Sequence, residues 1–407
     1  METLKETIKI AIDSGNSETA FIESGELIRQ PSTVVEEYDI PFYEDLNLPD
    51  AVENIYKHLV VSIDSPALER FSTYFIGEYA IESQGYYSNT ELGQTAKHTS
   101  EVPVQMALGL VAARVLQKAY KEGMDVTQKE INATINLTTG LPVREYNSES
   151  AAHFANRFMK GFHYVTIHLG KEQKVRVKLD FEFVKVFPEA VPVVFSLVFN
   201  PDNKARKGSI FKEFQEKYGY NPFDGKHFAG KRILHIDIGD GTTEFPITEG
   251  FNPDHRNAKG ENYGIGHAVE NILEDYAKLV KIDSAQRQDV SRVLKDKTHK
   301  FHGRAMNLVK LQLRKQADQI MRYALRQLNT VQNNIDVIVV YGGGSILLKP
   351  YLYNILEEKC EEREIELFYV PEENASTLFV EGLNNTFYNG LFNKLKESAE
   401  QKASLTK

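Results

Sequence analysis

Cysteine and tryptophan are almost missing from this sequence of 407 residues, which has one cysteine, Cys360, and no tryptophan. A single cysteine cannot form a disulfide within the chain, a Cys-x-x-Cys metal site or a redox-active thiol pair. Stable disulfides belong to oxidising compartments, so their absence favours a reducing one. We therefore expect a cytoplasmic protein.

Long hydrophobic runs are missing as well. The most apolar stretches, residues 191–199 and 335–341, are much shorter than the ~20 residues that cross a bilayer. The segment METLKETIKIAID passes from charged residues straight into a strand-like pattern, without the apolar core of an export signal. The sequence LFNKLKESAEQKASLTK is too polar for an amphipathic membrane anchor. We expect no contact with a membrane.

An excess of positive charge is the third absence. The net charge is −9 and the pI is about 5.8, so the surface as a whole repels phosphate backbones and anionic lipids. We therefore expect no direct binding to DNA. Hydrophobic residues make up 42% of the chain and charged residues 26%, which is ordinary for a folded protein, and the length suggests two or more globular units.

Two short hairpins carry the same pattern. In IAIDSGNSETAF and in LHIDIGDGTTEF, an apolar strand ends in Asp-x-Gly and small polar residues before a second strand begins. Backbone N–H groups of tight glycine turns bind anionic oxygens, and an aspartate beside them can hold hydrated Mg²⁺. Either hairpin alone is more often a structural turn. Two of them, together with a third glycine motif, predict a polyphosphate site.

The third motif is VIVVYGGGSILL, which places Gly342, Gly343 and Gly344 between a buried strand and a helix. Glycines at such a turn allow close approach to a ribose or an adenine and leave helix N–H groups available for a phosphate. A tight strand-to-helix turn is the structural alternative. The chain has no G-x-x-x-x-G-K-[ST] loop, and the second hairpin lacks the third glycine of a dinucleotide fingerprint, so we reject both the P-loop and the Rossmann interpretations.

These motifs resemble those of the superfamily of actins, heat-shock chaperones and sugar kinases. The two hairpins resemble its first and second phosphate motifs, and VVYGGGSILL resembles its adenosine motif. FPEAVPVVFSLVF is similar to the first connecting helix, NASTLFVEGLNNTFYNG is similar to the second, and all five motifs occur in the family's order. The FPEAVP opening and the VEG turn resemble most the ParM-like, plasmid-segregating bacterial actins.

The resemblance implies an α/β fold of the actin-like, ribonuclease H-like kind, with duplicated domains around a nucleotide cleft. Domain I would span residues 1–190, carry an inserted subdomain at about 30–98 and be completed by 375–407. Domain II would span 191–374, with an inserted subdomain at about 250–330. Most of the first insertion shows no regular periodicity, and we expect it to be irregular.

The resemblance also implies a role for each motif residue. It implies ATP and Mg²⁺ as cofactors, with GTP as an open alternative, and Asp13 and Asp237 as the metal ligands. The residues that would contact the nucleotide are Asp13, Gly15, Asn16 and Ser17 on the first side, Asp237, Gly239, Gly241, Thr242 and Thr243 on the second, and Gly342, Gly343, Gly344 and Ser345 around the adenosine.

Glu189 is the catalytic residue that the resemblance implies. It opens the first connecting helix, where relatives carry a Gln or Glu that orients the attacking water. Its carboxylate would accept a proton from this water or align it with the γ-phosphate. The alternative is a carboxylate that merely stabilises a helix N-terminus. Several relatives have a lysine soon after the first aspartate, but this chain has Ser17-Glu18-Thr19-Ala20, so Mg²⁺ and backbone amides would have to balance the phosphate charge.

The function implied is that of an ATP hydrolase that polymerises with itself into dynamic filaments and segregates plasmid DNA through a DNA-binding adaptor protein. A small-molecule kinase of the same superfamily is the alternative, but we find no motif for the aspartate base that it needs. A chaperone would need a substrate-binding domain after the nucleotide-binding domain.

Two further segments are open to more than one interpretation. Residues 200–231 are polar and aromatic, and we expect a surface insertion that is either decoration or a lateral filament contact. Residues 287–326 are rich in Lys and Arg. They form a solvated helix face, or they contact nucleic acid or the acidic residues 36–53 of a neighbouring subunit.

Overall fold

The computed structural model describes residues 2–42, 44–83, 87–89, 96–127 and 130–405. The chain divides into two units and passes from one to the other four times along its length. Unit 1 consists of Met1–Leu141, Glu145–Pro188 and Val380–Lys407, and unit 2 consists of Pro142–Arg144 and Glu189–Phe379.

Unit 1 is built on one large sheet. Its strands are β1 Glu2–Thr3, β2 Ile8–Ser14, β3 Glu18–Glu23, β4 Glu26–Pro31, β5 Thr33–Glu37, β6 Val60–Asp64, β7 Ser72–Ile76, β8 Tyr87–Asn89, β9 Ile131–Leu141, β10 His163–His168 and β11 Lys174–Pro188. The strand order is β4-β3-β2-β9-β11-β10-β6-β7-β5-β8, with β1 beside β9. Strand β2 is antiparallel to β3 and parallel to β9, and β9 is parallel to β11. The carboxyl ends of β2, β9 and β11 therefore lie at one edge of the sheet.

The hydrophobic core of unit 1 lies between this sheet and its helices. The helices of unit 1 within residues 1–188 are α1 Leu48–Glu53, α2 Glu78–Glu82, α3 Val102–Lys121 and α4 Ser148–Met159. Helix α3 begins with a proline in its first turn, which the open N-terminal end of a helix tolerates, and most of its residues are buried. Strand β9 is buried over most of both faces, as expected of a central parallel strand.

Unit 2 contains a smaller sheet centred on β12. Its strands are β12 Arg232–Ile238, β13 Thr243–Phe245, β14 Ile247–Glu249, β15 Asn252–Pro253, β16 Lys259–Glu261, β17 Val337–Tyr341 and β18 Glu366–Tyr369. Strand β12 is antiparallel to β13 and β14 and parallel to β17, which is parallel to β18. As in unit 1, a central strand separates antiparallel partners from two parallel strands, which is the duplication that the sequence predicts.

Unit 2 also contains eight of the described α-helices. They are α5 Val191–Val198, α6 Lys212–Tyr218, α7 Ile265–Glu270, α8 Leu273–Val280, α9 Arg287–Lys295, α10 His302–Thr330, α11 Gly343–Glu361 and α12 Glu372–Ala375, followed by α13 Leu378–Tyr388 and α14 Leu391–Leu405, most of which belong to unit 1. Short 3₁₀ helices occupy Ile55–Lys57, Ser209–Phe211 and Gly225–Phe228. None of the described helices is long and apolar enough to cross a membrane.

The residues that we expected to be irregular contain regular strands. Strands β5 to β8 lie in this part of the chain and join the main sheet of unit 1. Each has only three to five residues, too few to leave a long periodic pattern, and β5 and β6 also pair with strands far away in the sequence. Part of the predicted subdomain at about 30–98, residues 84–86 and 90–95, lies outside the described residues.

Residues 200–231 also differ from the expected surface insertion. Phe211, Phe214 and Phe228 are buried, and their rings contact Phe368 of β18 at centroid distances of 5.3–5.6 Å. His227 Nε2 also lies 2.7 Å from a carboxylate oxygen of Glu366, the first residue of β18. The segment therefore forms an aromatic core of its own against the edge of the unit 2 sheet.

Candidate functional site

The second hairpin is a tight turn between β12 and β13. Asp237 and Ile238 at the end of β12 pair with Glu244 and Thr243 at the start of β13. The Gly239 N–H donates to the Thr242 carbonyl at 2.9 Å and closes the turn. A Cβ atom at residue 239 would lie 3.2 Å from this carbonyl oxygen, so glycine permits the tight closure.

Helix α7 fixes the direction of the peptide groups in this turn. Three successive loop carbonyls accept hydrogen bonds from the chain at the start of α7: Gly239 from Ile265 (3.0 Å), Asp240 from Gly266 (2.7 Å) and Gly241 from Gly264 (3.1 Å). In a trans peptide the C=O and the following N–H point in opposite directions, so the amides of residues 240–242 point away from α7. Among the residues that the structure describes, none of these three amides donates to a protein carbonyl. Three adjacent amides that point outward are an arrangement that can bind an anion.

The triple glycine lies directly beside the second hairpin. Strands β12 and β17 are parallel, with Asp237 opposite Tyr341, so Gly342, the residue after Tyr341, lies beside the end of β12. A Cβ atom on Gly342 would lie 2.4 Å from Asp237 Oδ1, and its φ of 88° is in the left-handed region that favours glycine. The structure thus brings together the predicted metal ligand of unit 2 and the predicted adenosine motif.

In the rest of this motif, Ser345 and Gly344 hold the turn in place, whereas Gly343 leaves open space. The Ser345 side chain is fully buried, and its hydroxyl donates to the Gly342 carbonyl at 2.8 Å, which holds the turn into α11. A Cβ atom on Gly344 would contact Ile238 Cγ2 at 2.8 Å. A Cβ atom on Gly343 would have no protein atom within 4 Å. Gly343 therefore faces open space at the N-terminus of α11, where helix amides lack intrahelical acceptors.

The first hairpin closes with the same bond as the second. The Gly15 N–H donates to the Glu18 carbonyl at 3.0 Å, and a Cβ atom at residue 15 would lie 2.8 Å from that oxygen. Asp13 is the penultimate residue of β2, as Asp237 is of β12. Ser32 supports the loop because its hydroxyl donates to the Gly15 carbonyl at 2.6 Å and its N–H donates to the Ser17 carbonyl at 3.0 Å. The Asn16 amide consequently points away from Ser32.

Glu189 immediately follows β11, at the sheet edge where β2 also ends. The next residue, Ala190, has a φ of 127°, which is strained for any residue except glycine. Helix α5 begins directly afterwards, with Pro192 in its first turn. Strain of this kind persists where the surrounding structure requires it and is common at functional sites. The position suits a residue that is held in one place for a chemical role.

Asp240 and Arg287 form a buried ion pair that the sequence analysis missed. Asp240 Oδ2 lies 2.7 Å from Arg287 Nη1, and their side chains are 6% and 9% exposed. The guanidinium N–H does not point at the oxygen, so the contact is electrostatic rather than an aligned hydrogen bond. Burial raises the pKa of the Asp240 carboxyl, although Arg287 opposes this shift. A Gly-x-Gly pattern before a helical segment, residues 264–266, was the signal that could have indicated a second glycine-rich contact at this loop.

The residues present fit a nucleotide-bound Mg²⁺ but not an all-protein metal site. Among the described residues, no three His, Cys, Asp or Glu side chains cluster in a way that could hold a metal. Magnesium at phosphates is usually bound by only one or two carboxylates, with phosphate oxygens and water as the other ligands. Asp237, next to the three outward amides, offers one such carboxylate.

Comparisons with known proteins agree on the fold. Residues 11–191 match the family model of the N-terminal domain of actin-like proteins, and residues 235–354 match the C-terminal model of the archaeal actin homologue MreB-like family. No curated protein sequence matches the chain significantly.

Three solved structures illustrate the similarity. Actin-like protein Alp7A is 17% identical, with a TM-score of 0.69 over 98% of this chain and 100% of that one. Bacillus thuringiensis ParM with ATP is 15% identical, with a TM-score of 0.61 over 96% and 100%. An archaeal actin homologue is 13% identical, with a TM-score of 0.60 over 94% and 100%. At these identities the structures establish the fold, which confirms the predicted actin-like α/β class.

Proposed function

Because the chain is an actin homologue with a ParM-like fold, we propose that it is an ATP hydrolase that assembles into filaments in a nucleotide-dependent manner. The observation that carries the proposal is the surface of three outward amides at residues 240–242 beside Asp237 and Gly342. The similar ParM from Bacillus thuringiensis is described with ATP, with AMPPNP and with ADP, which supports a nucleotide as the ligand here.

In this proposal each hairpin binds the phosphates of the same nucleotide. The amides of residues 240–242 would donate to phosphate oxygens, and the Asn16 amide would do so from the first hairpin. Asp13 and Asp237 would hold Mg²⁺, which neutralises negative charge on the phosphates. Thr242 and Thr243 follow the same turn, but Thr243 Oγ1 already donates to the Tyr263 carbonyl at 2.7 Å, so its side chain supports the loop. Gly343 leaves space for the adenosine.

Glu189 is the residue that we propose to activate or align water. The strained Ala190 and the start of α5 leave its backbone little freedom. A carboxylate held near the γ-phosphate could accept the proton of the attacking water, and general-base contributions of this kind are about 10²–10⁴-fold. The lack of an early lysine leaves amides and Mg²⁺ to stabilise the phosphate charge.

Assembly into a filament requires a contact between two unlike surfaces that does not close on itself. Unit 1 carries the acidic residues 36–53, which contain no lysine or arginine. Unit 2 exposes cations along α10, among them Arg304, Lys310 and Arg314. We propose that these two surfaces of successive subunits attract each other, which predicts that salt weakens assembly.

The cellular role that we propose is the segregation of plasmid DNA through an adaptor protein. A net charge of −9 opposes direct binding to DNA, so a DNA-binding adaptor would have to join the filament to its cargo. This agrees with a protein that acts in the cytoplasm and binds itself and one adaptor, without membrane contact.

Light scattering and pelleting of the purified protein with Mg²⁺ and ATP, GTP, ADP or no nucleotide, alongside phosphate release, test the proposal. We expect assembly with a nucleoside triphosphate, followed by phosphate release and disassembly. Solubility at high concentration with every nucleotide, together with turnover stimulated by a sugar, would instead support a small-molecule kinase of the same superfamily.

A further inference from the structure

The second hairpin is anchored through a charge as well as through its main chain. Asp240 is the only loop residue between β12 and β13 with an ionisable side chain. This side chain turns away from the three outward amides, into the interior beside α7, where it meets Arg287 at 2.7 Å. The carbonyl of the same residue accepts the shortest of the three α7 hydrogen bonds, 2.7 Å from Gly266. The carbonyl and the carboxylate of Asp240 therefore both contact residues on the side of the loop that faces α7 and α9.

The position of Arg287 is unfavourable for its own helix. It is the first residue of α9, and a cation at a helix N-terminus opposes the helix dipole. Nevertheless its side chain is 91% buried, which is rare for an arginine without a specific partner. Val290, Val293 and Leu294 pack α9 into the unit 2 core, so this helix is a firm support for the guanidinium.

Gly266 leaves the room that the ion pair needs. A Cβ atom at this position would lie 2.8 Å from Arg287 Nη1 and 2.9 Å from Asp240 Oδ2. Any larger residue at this position would therefore push the two charges apart. Gly266 of α7, the Asp240 carboxylate of the loop and the Arg287 guanidinium of α9 therefore pack against one another.

We propose that Arg287 is a positioning residue, which acts through Asp240 to hold the second hairpin in its phosphate-binding conformation. In this proposal Arg287 contacts Asp240 and not the nucleotide. The inference rests on the proposed nucleotide function. A rigid loop favours binding only if its amides already point at the phosphates before the nucleotide arrives. Pre-organised donors avoid the cost of reorganising when the ligand arrives.

The test compares Arg287→Met, which removes the charge at similar length, with Arg287→Lys, which keeps it. Arg292→Met on the exposed side of the same helix is the matched control. In nucleotide-free protein, hydrogen exchange of the amides of residues 264–266 reports whether the loop is held. We expect exchange to rise about tenfold in Arg287→Met, equivalent to 1.4 kcal/mol, and to change much less in Arg287→Lys and not at all in the control.

The kinetic counterpart is a rise of about tenfold in the KM for ATP in Arg287→Met, with kcat within about twofold, because binding rather than chemistry depends on the loop. Asp240→Asn and the double variant Asp240→Asn/Arg287→Met extend the test. If Arg287 acts through Asp240, the double variant exchanges like Asp240→Asn alone. Arg287→Met alone leaves the buried Asp240 carboxylate without a partner and can prevent folding. The double variant has no such charge, so it still tests the inference if Arg287→Met does not fold.

Wild-type exchange at residues 264–266 in Arg287→Met, or fully additive effects in the double variant, would overturn the inference. A wild-type protein that neither binds nor hydrolyses ATP would overturn the proposed function instead. The exchange measurement, which needs no nucleotide, would still decide whether Arg287 positions the loop.

Discussion

The two hairpins share one turn but differ in what holds it in place. Both close with a glycine N–H donating to the carbonyl three residues later, at 3.0 Å in the first and 2.9 Å in the second. Neutral groups of Ser32 support the first hairpin, whereas three helix amides and a buried ion pair support the second. The comparison shows that a short glycine pattern can produce the same turn twice, while its supports come from different and distant parts of the chain.

The largest expected effect is on the rate of phosphate release, and it separates the chemical role of Glu189 from nucleotide binding by the two hairpins. Glu189→Ala is expected to assemble with ATP but to release phosphate at least about 100-fold more slowly, the usual loss on removal of a general base. Glu189→Gln tells a base from a residue that only aligns the water, because the amide can still accept a hydrogen bond but cannot take the proton. Unchanged phosphate release in Glu189→Ala would remove its catalytic assignment.

A matched pair of substitutions asks whether the two hairpins contribute equally. Asp13→Ala and Asp237→Ala are each expected to weaken Mg-nucleotide binding by about 10- to 100-fold, because contacts to charged groups contribute about 1.5–3 kcal/mol. Equilibrium titration with and without Mg²⁺ measures the effect, which should vanish when the metal is absent. Wild-type affinity in either variant would contradict that residue's role as a metal ligand.

A second pair distinguishes a structural glycine from a ligand-facing one in unit 2. Gly342→Ala is expected to lower the free energy of unfolding by at least about 1–2 kcal/mol, since a positive φ is unfavourable for alanine and its Cβ would meet Asp237. Gly343→Ala is expected to leave stability unchanged or slightly higher but to weaken nucleotide binding. Denaturant unfolding and nucleotide titration separate the two, and equal loss of stability would contradict the difference between these positions.

The smallest expected effect concerns the support of the first hairpin. Ser32→Ala removes the hydrogen bond to the Gly15 carbonyl and the contact with Thr19 Oγ1. We expect a loss of about 0.5–1.5 kcal/mol in the free energy of unfolding, which is the usual net contribution of one hydrogen bond that is only partly buried. Ser404→Ala on the exposed side of α14 is the control. A loss no greater than that of the control would show that the main chain alone holds the first hairpin.

Local chemistry explains what the sequence could predict. Each hairpin and the triple glycine depend on residues within a few positions of one another, and the structure has a tight turn at all three. The helical pattern of residues 266–280 corresponds to two helices, α7 and α8, which are separated by Asn271 and Ile272. Strand β6 also pairs with β10, and the aromatic core around Phe211 includes Phe368, so both depend on partners far away in the chain, which periodicity does not report.

The same reason explains why the sequence pattern does not reveal the support of the second hairpin. Asp240 and Arg287 are separated by 47 positions, and Arg287 belongs to a run of cations that is typical of a solvated helix face. Only the fold brings this one arginine into the interior while others of the run, such as Arg304, stay exposed. The roles of Asp13, Asp237 and Glu189 in nucleotide chemistry remain predictions.

The central claim is that both hairpins bind one magnesium nucleotide, and a crystal structure with Mg²⁺ and AMPPNP tests it most directly. We predict that Asp13 and Asp237 approach the same metal ion and that the amides of residues 240–242 contact phosphate oxygens. Phosphates that contact only one hairpin, or a nucleotide bound elsewhere on the chain, would contradict the account.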